Sequence, residues 1–519
     1  MSMTEDSFVS KSTKLQLHVD ELIGIVDGAI ERQLPIHEVE RNVLNVLLQM
    51  GRATLRILLD ELGSGDVGES VEVEEGKRLK RSPSIRSRAY TSIFGTFQLE
   101  RYVYAKRQGA KIEFVPLDAR LGLPESKFSY LLQDWDQSIA MEEPFEKVGN
   151  VMEKILGLDQ HVDSLERMNR HMASAVDDFH LQQSAPPSSE EAAILVQTAD
   201  GKGVPIRRPA DAPKIESHRS KSGPKPGAKR MATLGAVYSV DPYVRTPEEI
   251  VEALFRPPSK TSNREGKNKP PTPRRPRPQH KRVRACLNHI DRNGDEVHGA
   301  AAVFGWIAEE VASRNPQQEA GEGAKTVVSI MDGQESLWNL RDVFQAGVPM
   351  IDILDLLHVT PRLWTAASLF HKTGSDAAIR FVRERVSRVL RGEVSAVIAG
   401  LRRLATTHKL RGKKLETLET IINYYVKNRD KMKYNEYLSA GYPIASGVIE
   451  GACRHVVKDR LERTGMTWIT DGAQSMLSLR CIHLCEQWDE FTQFRIQHET
   501  ERLHPHRNKL PEMGWAIAT

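Results

Sequence analysis

The chain has 519 residues, 39% hydrophobic and 27% charged, which is ordinary for a folded protein of about three domains with real cores. No apolar run approaches the roughly 20 residues a membrane span needs, and MSMTEDSFVSKSTKLQLHVDELIG at the start lacks the basic region and apolar core of a secretory signal. The formal net charge of +4 says little by itself, and four scattered cysteines exclude a disulfide framework, so a reducing cytoplasmic compartment is expected.

In chain order, residues 1–60 read as helix, with Leu22, Ile23, Ile25 and Val26, then Val43, Leu44, Val46, Leu47 and Leu48 at roughly helical spacing. A polar, glycine-containing gap (GSGDVGESVEVEEG) precedes a basic cluster that includes Lys77, Arg78, Lys80 and Arg81, candidate DNA contacts. AYTSIFGTFQLERYVYAKR then predicts a β-hairpin around Gly95. The segment PFEKVGNVMEKILGLDQHVDSLERMNRHMA has helix-turn-helix layout: a helix over 144–156, a turn at Gly157, and a second helix from about His161. Arg167 and Arg170, three apart on that second helix, can share an exposed, DNA-facing side. SAPPSSEEAA, residues 184–193, reads as a linker and closes a DNA-binding region over 1–183.

The second half is richer in strands. AAILVQTAD ends in Asp200-Gly201, and RMATLGAVYSVD is a second strand. Residues 256–284 then carry eleven Lys/Arg, one Glu and seven Pro, +10 in total, which leaves −6 for the rest of the chain. With almost nothing apolar to bury, this insert is expected to be disordered, and Arg274, Arg275 and Arg277 within it are candidate phosphate contacts. A helix follows with Val303, Phe304, Trp306 and Ile307. A β-branched strand over 326–330 leads to Met331-Asp332-Gly333, and MIDILDLLHV is expected as a strand ending at His358. Residues 360–440 read as a basic helical insertion, and YPIASGVIEGACRHVVKDRL opens a helix carrying Glu450.

Asp-Gly is a common turn signal, so one such pair is weak evidence. Asp200, Asp332 and Glu450, in that order and each on a suitable element, form a stronger pattern. Three carboxylates held together repel unless a hard cation neutralises them, and two Mg²⁺ or Mn²⁺ ions roughly 4 Å apart suit phosphodiester chemistry. Asp352 and Asp355 are competing acids on the next strand. Trp338, Trp364, Cys481 and Cys485 read as core residues.

The segments VQTADGKGVPI, VVSIMDGQESLW, DLLHVTPRLWTAA and GYPIASGVIEGACRHVVKDRLERTGMTW resemble the DDE transposases of bacterial insertion sequences, most nearly the ISKra type and more distantly the Mutator-like superfamily. The resemblance spans about 190–490. It implies an α+β or α/β, ribonuclease-H-like catalytic domain over 194–359 and 441–519, the last segment ending in a tail, interrupted by the helical insertion and preceded by a mainly helical DNA-binding region. It implies Asp200, Asp332 and Glu450 as catalytic metal ligands for two Mg²⁺ or Mn²⁺ ions. Asp355 and His358 match the family's Cys/Asp-x-x-His motif and so support the site. The insert at 256–284 is longer and more basic than the family pattern. The function implied is metal-dependent cleavage at transposon ends and strand transfer into target DNA. Expected partners are double-stranded DNA and a second copy of the chain, at the bacterial nucleoid and away from membranes. The alternatives are an inactive or domesticated DNA-binding derivative and a ribonuclease-H-type nuclease without strand transfer.

Overall fold

The computed structural model describes residues 5–207, 229–256, 275–291, 293–315 and 324–514. The chain divides into two compact units, Met1–Phe179 with Trp488–Thr519, and His180–Gln487.

In the first unit the expected long helix is an antiparallel hairpin of α1 (Glu5–Arg32) and α2 (Ile36–Leu62), broken where Pro35 removes a donor and caps α2. The expected polar gap is instead strand β1 (Ser70–Glu74). Its Val-Glu-Val-Glu alternation buries Val71 and Val73 and leaves the glutamates in water. β1 pairs with β2 (Lys77–Arg81), and β2 pairs with β5 (Tyr104–Ala105). Between them lies the expected hairpin, β3 (Arg86–Ser92) and β4 (Gly95–Arg101), with Gly95 at φ 112° after a two-residue turn. Helices α3 (Pro116–Leu121) and α4 (Tyr130–Glu142) precede the helix-turn-helix pair. Its first member is α5 (Phe145–Leu156), ended by Gly157 in the left-handed conformation, and its second is α6 (Val162–Ala173). A short helix α7 (Val176–Gln182) follows.

The second unit is built on a five-stranded mixed sheet. β6 (Ile194–Pro205), β7 (Lys229–Val240) and β8 (Gln279–Leu287) are successively antiparallel; β11 (Thr326–Met331) and β12 (Ile351–Leu354) add in parallel on the other side of β6, giving the order β12-β11-β6-β7-β8. Strand residues alternate between two covered faces, so β6 is buried without a break over Ile194–Ala199 and β11 over Val327–Met331, Gln197, Thr198 and Ser329 included. Val196, Val328 and Ile330 face one core; Leu195, Val327 and Met331 face the other. Helix α8 (Pro247–Leu254) joins the first core through Val251. A two-residue ribbon, β9 (His289–Ile290) with β10 (Glu296–Val297), leads into α9 (Gly299–Arg314), which packs on the second core beside α10 (Glu335–Phe344). The first core is completed by α11 (Leu356–Ser368), α12 (Asp376–Leu390), α13 (Val394–Thr407), α14 (Lys413–Asn428) and α15 (Tyr434–Ser439), the expected helical insertion. Then come α16 (Gly447–Ala452), a π-helical stretch Cys453–Lys458, α17 (Asp459–Leu461) and α18 (Thr470–Leu484).

Four expectations change. The basic insert is not disordered to its end: 279–287 is strand β8, because Arg282-Val283-Arg284-Ala285 alternates as an edge strand should, with Val283, Ala285 and Leu287 buried. Residues 257–274, Arg274 among them, lie outside the described residues. The linker at 184–193 is anchored, since the buried Glu191 carboxylate takes ion pairs from Arg314 and Lys325. Of the segment 441–519, expected to hold the last part of the catalytic domain and a tail, residues up to Gln487 stay with the second unit. Helix α19 (Trp488–Leu503) belongs to the first unit, where Trp488 Nε1 donates to Asp134 (2.7 Å) and Arg495 Nη1 to Gln133 (3.1 Å). Trp338 is buried as expected, but Trp364 is 37% exposed, tilted against Phe255.

Candidate active site

The carboxylates gather at one end of the sheet's centre. β6 and β11 run parallel with Ala199 opposite Met331, so Asp200 and Asp332 are the next residues on adjacent strands. Asp332 leaves β11 as expected. Asp200 does not end its strand: β6 continues to Pro205, paired with β7 from Asp200↔Leu234 through Pro205↔Lys229. Gly201 and Gly203 are here extended strand residues, where the sequence suggested a turn. A Cβ at Gly201 would press on Met231, and one at Gly203 on Lys229.

Each aspartate commits one oxygen to a neighbouring main-chain amide and turns the other toward the site. Asp332 Oδ1 accepts from Gln334 N (2.6 Å), while its main-chain carbonyl accepts from Trp338 Nε1 (2.6 Å). Its Oδ2 lies 4.0 Å from His358 Nδ1. Asp200 Oδ1 accepts from Gly201 N (2.7 Å), and Oδ2 meets the Cys453 thiol at 3.5 Å. Gly333 is required by close approach, because a Cβ there would sit 2.2 Å from the Tyr424 ring. Arg362 stacks on that ring's face at 3.5 Å.

β12 ends at Leu354, four residues before the expected end at His358. Asp355 caps α11 instead: Oδ1 accepts from Leu357 N (2.8 Å), and Oδ2 accepts from the Ser446 hydroxyl. Burial pushes the Asp355 carboxyl up, against the Ser446 and Leu357 hydrogen bonds that pull it down. With both oxygens occupied and no exposure, Asp355 ties α11 to the chain entering α16. Asp352 is likewise taken, by Arg341 at 2.5 Å.

His358 stands on the first turn of α11 at the centre of the group, with Nε2 4.0 Å from both Asp355 Oδ2 and Glu450 Oε1. Glu450, on α16, is 46% exposed in its side chain. Partial desolvation pushes its carboxyl up, the charges of Asp355 and Asp200 push it further, and His358 opposes them. That mutual repulsion is what a cation would relieve. Two groups of potential ligands stand close together among the described residues, Glu125, His171 and Glu499 in the first unit and Asp355, His358 and Glu450 here, with one donor atom each within 4.8 Å of the others. The second group differs from the expected trio. Because Asp355 spends both oxygens on the backbone and on Ser446, the groups best fitted to a hard cation are Glu450, Asp332 Oδ2 and Asp200 Oδ2, the last shared only with the weakly donating Cys453 thiol, with His358 among them.

Two features escaped sequence reasoning. Just past Glu450 the helix widens into the π-helical Cys453–Lys458, a rare geometry concentrated at functional sites, and it brings Cys453 to Asp200. Only the spacing of Cys453, three residues after Glu450, hinted at it. Tyr424 comes from the helical insertion, and nothing local marks it.

The expected DNA contacts are dispersed. Lys77 and Arg81 share one side of β2 with buried Leu79; Lys77 pairs with Glu113 (3.2 Å) and Arg81 with Asp66, leaving Arg78 and Lys80 on the exposed side. Arg167 is exposed on α6, whereas Arg170 leans on Glu166 at 3.9 Å. Arg275 and Arg277 are exposed just before β8. Among the described residues no helix is long and apolar enough to cross a membrane. No protein-family model matches the chain, and no curated protein matches it.

Proposed function

We propose that the chain is a DNA strand-transfer enzyme, a DDE-type transposase with a ribonuclease-H-like catalytic core. The single observation that carries this reading is the placement of Asp200 and Asp332 side by side on adjacent parallel strands, with Glu450 brought over them by a helix. The sheet order supports it: three antiparallel strands, then two parallel ones added beside the first, with the helical insertion between the last strand and the glutamate. Mg²⁺ or Mn²⁺ held by Asp200, Asp332 and Glu450 would supply charge neutralisation and activation of a water or 3′-hydroxyl at a phosphodiester.

The chain's own residues prepare that chemistry. The Gln334 amide and the Gly201 amide fix one oxygen of each aspartate, so the other points at a defined place. Asp355 and Ser446 lock the start of α11 to the turn before α16, which sets Glu450 relative to His358. His358, within 4.0 Å of Asp332 and Glu450, can orient either carboxylate, take a proton from the attacking water or hydroxyl, or give one to the departing oxygen. Exposed Arg167, Arg78 and Lys80 in the first unit, and Arg275 and Arg277 in the second, offer sequence-independent phosphate contacts.

The test is a joining assay with the purified chain, Mn²⁺, and duplexes carrying the DNA that borders its own gene. The expected result is nicking and joining that Asp332→Asn abolishes. Activity that survives Asp332→Asn overturns the mechanism, and nicking without joining identifies a nuclease.

A further inference from the structure

The hairpin of α1 and α2 leaves an apolar face in water that its own fold does not cover. Its inward seams are Leu22, Ile25 and Ala29 of α1 and Val39, Val43 and Val46 of α2, all half-buried or buried. One residue further along lies a second seam: Ile23 (55% exposed), Val26 (53%) and Ile30 (72%) on α1, Leu44 (43%) and Leu47 (48%) on α2, with Ile36 (71%) where α2 begins. The spacing is three and four residues on α1 and three between Leu44 and Leu47, with Ile36 eight residues before Leu44, as in the seams of helical bundles.

The geometry places both second seams on one side. A step of one residue is a turn of about 100° about a helix axis. In antiparallel helices the two rotations run in opposite senses when seen from one end, and the inward directions are also opposed. The same one-residue offset therefore tips both exposed seams out of the same face of the hairpin.

We propose that this face is the self-association surface of the protein, covered by the same hairpin of a second copy to form a four-helix bundle. Charge argues against nucleic acid as the cover: residues 5–62 hold ten acidic and six basic side chains, a net of −4, which repels a polyanion. This assigns the first 62 residues a role other than the DNA contact expected for the whole of 1–183. A flat face of two parallel apolar seams is self-complementary about a twofold axis. Its exposed apolar surface is on the order of 500 Å², the upper range of what a monomer leaves open, and with a polar rim it reaches the roughly 800 Å² per partner of a stable interface.

The like charge of the two hairpins fixes the sign of the salt dependence. Self-association driven by apolar burial and opposed by a net −4 on each side tightens as salt screens the repulsion, whereas docking of a basic partner would weaken. The inference does not depend on the chemistry at Asp332, since it is read without DNA or metal. The experiment is sedimentation equilibrium of the full, nuclease-treated chain at micromolar concentration and two salt levels. The expected mass is twice the 58.4 kDa of one chain, with tighter association at high salt. Ile23→Asp with Ile30→Asp, both at exposed positions, should return the monomer with unchanged circular dichroism; should that pair unfold, Ile30→Ala with Ile36→Ala should weaken association about tenfold or more. A monomer at both salts, a dimer untouched by the variants, or one that dissociates as salt rises overturns the proposal.

Discussion

Asp136 lies on α4 in the first unit, fully buried, with Oδ1 accepting from Gln160 Nε2 (3.2 Å) and Oδ2 without a hydrogen-bond partner among the described residues. Burial raises its pKa from 3.8 to about 7, and the single bond from Gln160 only partly offsets this. The sign follows from linkage: the folded state holds its proton more tightly than the unfolded chain does. The carboxyl therefore imposes no penalty below the unfolded value, and stability declines as pH rises from about 4 to about 7. Three pKa units at 1.36 kcal/mol each put the full penalty at about 4 kcal/mol above neutrality. Asp136→Asn removes the ionisation and keeps an acceptor for Gln160, but it sets an amide donor where the oxygen has no partner among the described residues, which costs about 1–3 kcal/mol. We expect Asp136→Asn to be more stable than the parent by about 1–3 kcal/mol at pH 8 and less stable by about 1–3 kcal/mol near pH 4, where the carboxyl carries no ionisation penalty and only the amide cost remains. Urea unfolding at intervals from pH 4 to 8, followed by circular dichroism, measures the difference directly. A stability difference that does not change across that range would refute the assignment of a buried, reluctant carboxylate.

Asp200→Asn, Asp332→Asn and Glu450→Gln should each keep DNA binding and EDTA melting temperature. Each should lose the Mg²⁺-dependent rise in melting temperature that linkage requires, and strand transfer by orders of magnitude; a variant that retains the Mg²⁺ shift is not a metal ligand. Gly333→Ala sets a Cβ 2.2 Å from the Tyr424 ring and should cost about 1–3 kcal/mol. Combining it with Tyr424→Ala should recover part of that loss, so purely additive costs in a double-mutant cycle would contradict the clash. Glu499 on α19 is pushed up by burial but held down to about 2 by His171 and the Glu125 amide, with Arg495 adding. Its contribution is present above the ordinary glutamate range and lost as pH falls through about 2. Glu499→Gln should therefore destabilise the protein by about 3 kcal/mol at pH 7 and reduce the slope of acid unfolding below pH 4.

Much of the architecture is decided by short-range pattern. Phe145–Leu156, Gly157 and Val162–Ala173 fall where apolar periodicity and a left-handed glycine place them, because helix phase and a C-terminal cap are local properties. The exit of β11 at Asp332 and the position of Glu450 on a helix are equally local. Register and burial are not. Asp200-Gly201 has the chemistry of a turn, yet twelve residues of pairing with β7 keep it extended, and that pairing depends on a strand beginning at Lys229. MIDILDLLHV is apolar enough for a longer strand, but Asp355 finds Ser446, ninety-one residues away, and starts a helix. Lys77, Arg78, Lys80 and Arg81 form one basic cluster in sequence, and strand alternation splits them between a paired side and a solvent side. The sequence by itself determined which residues could carry the chemistry. Tertiary structure decided how the second oxygen of each is used, because Asp355 Oδ2 is taken by the Ser446 hydroxyl ninety-one residues away, Asp200 Oδ2 meets only the Cys453 thiol, and Asp332 Oδ2 faces His358.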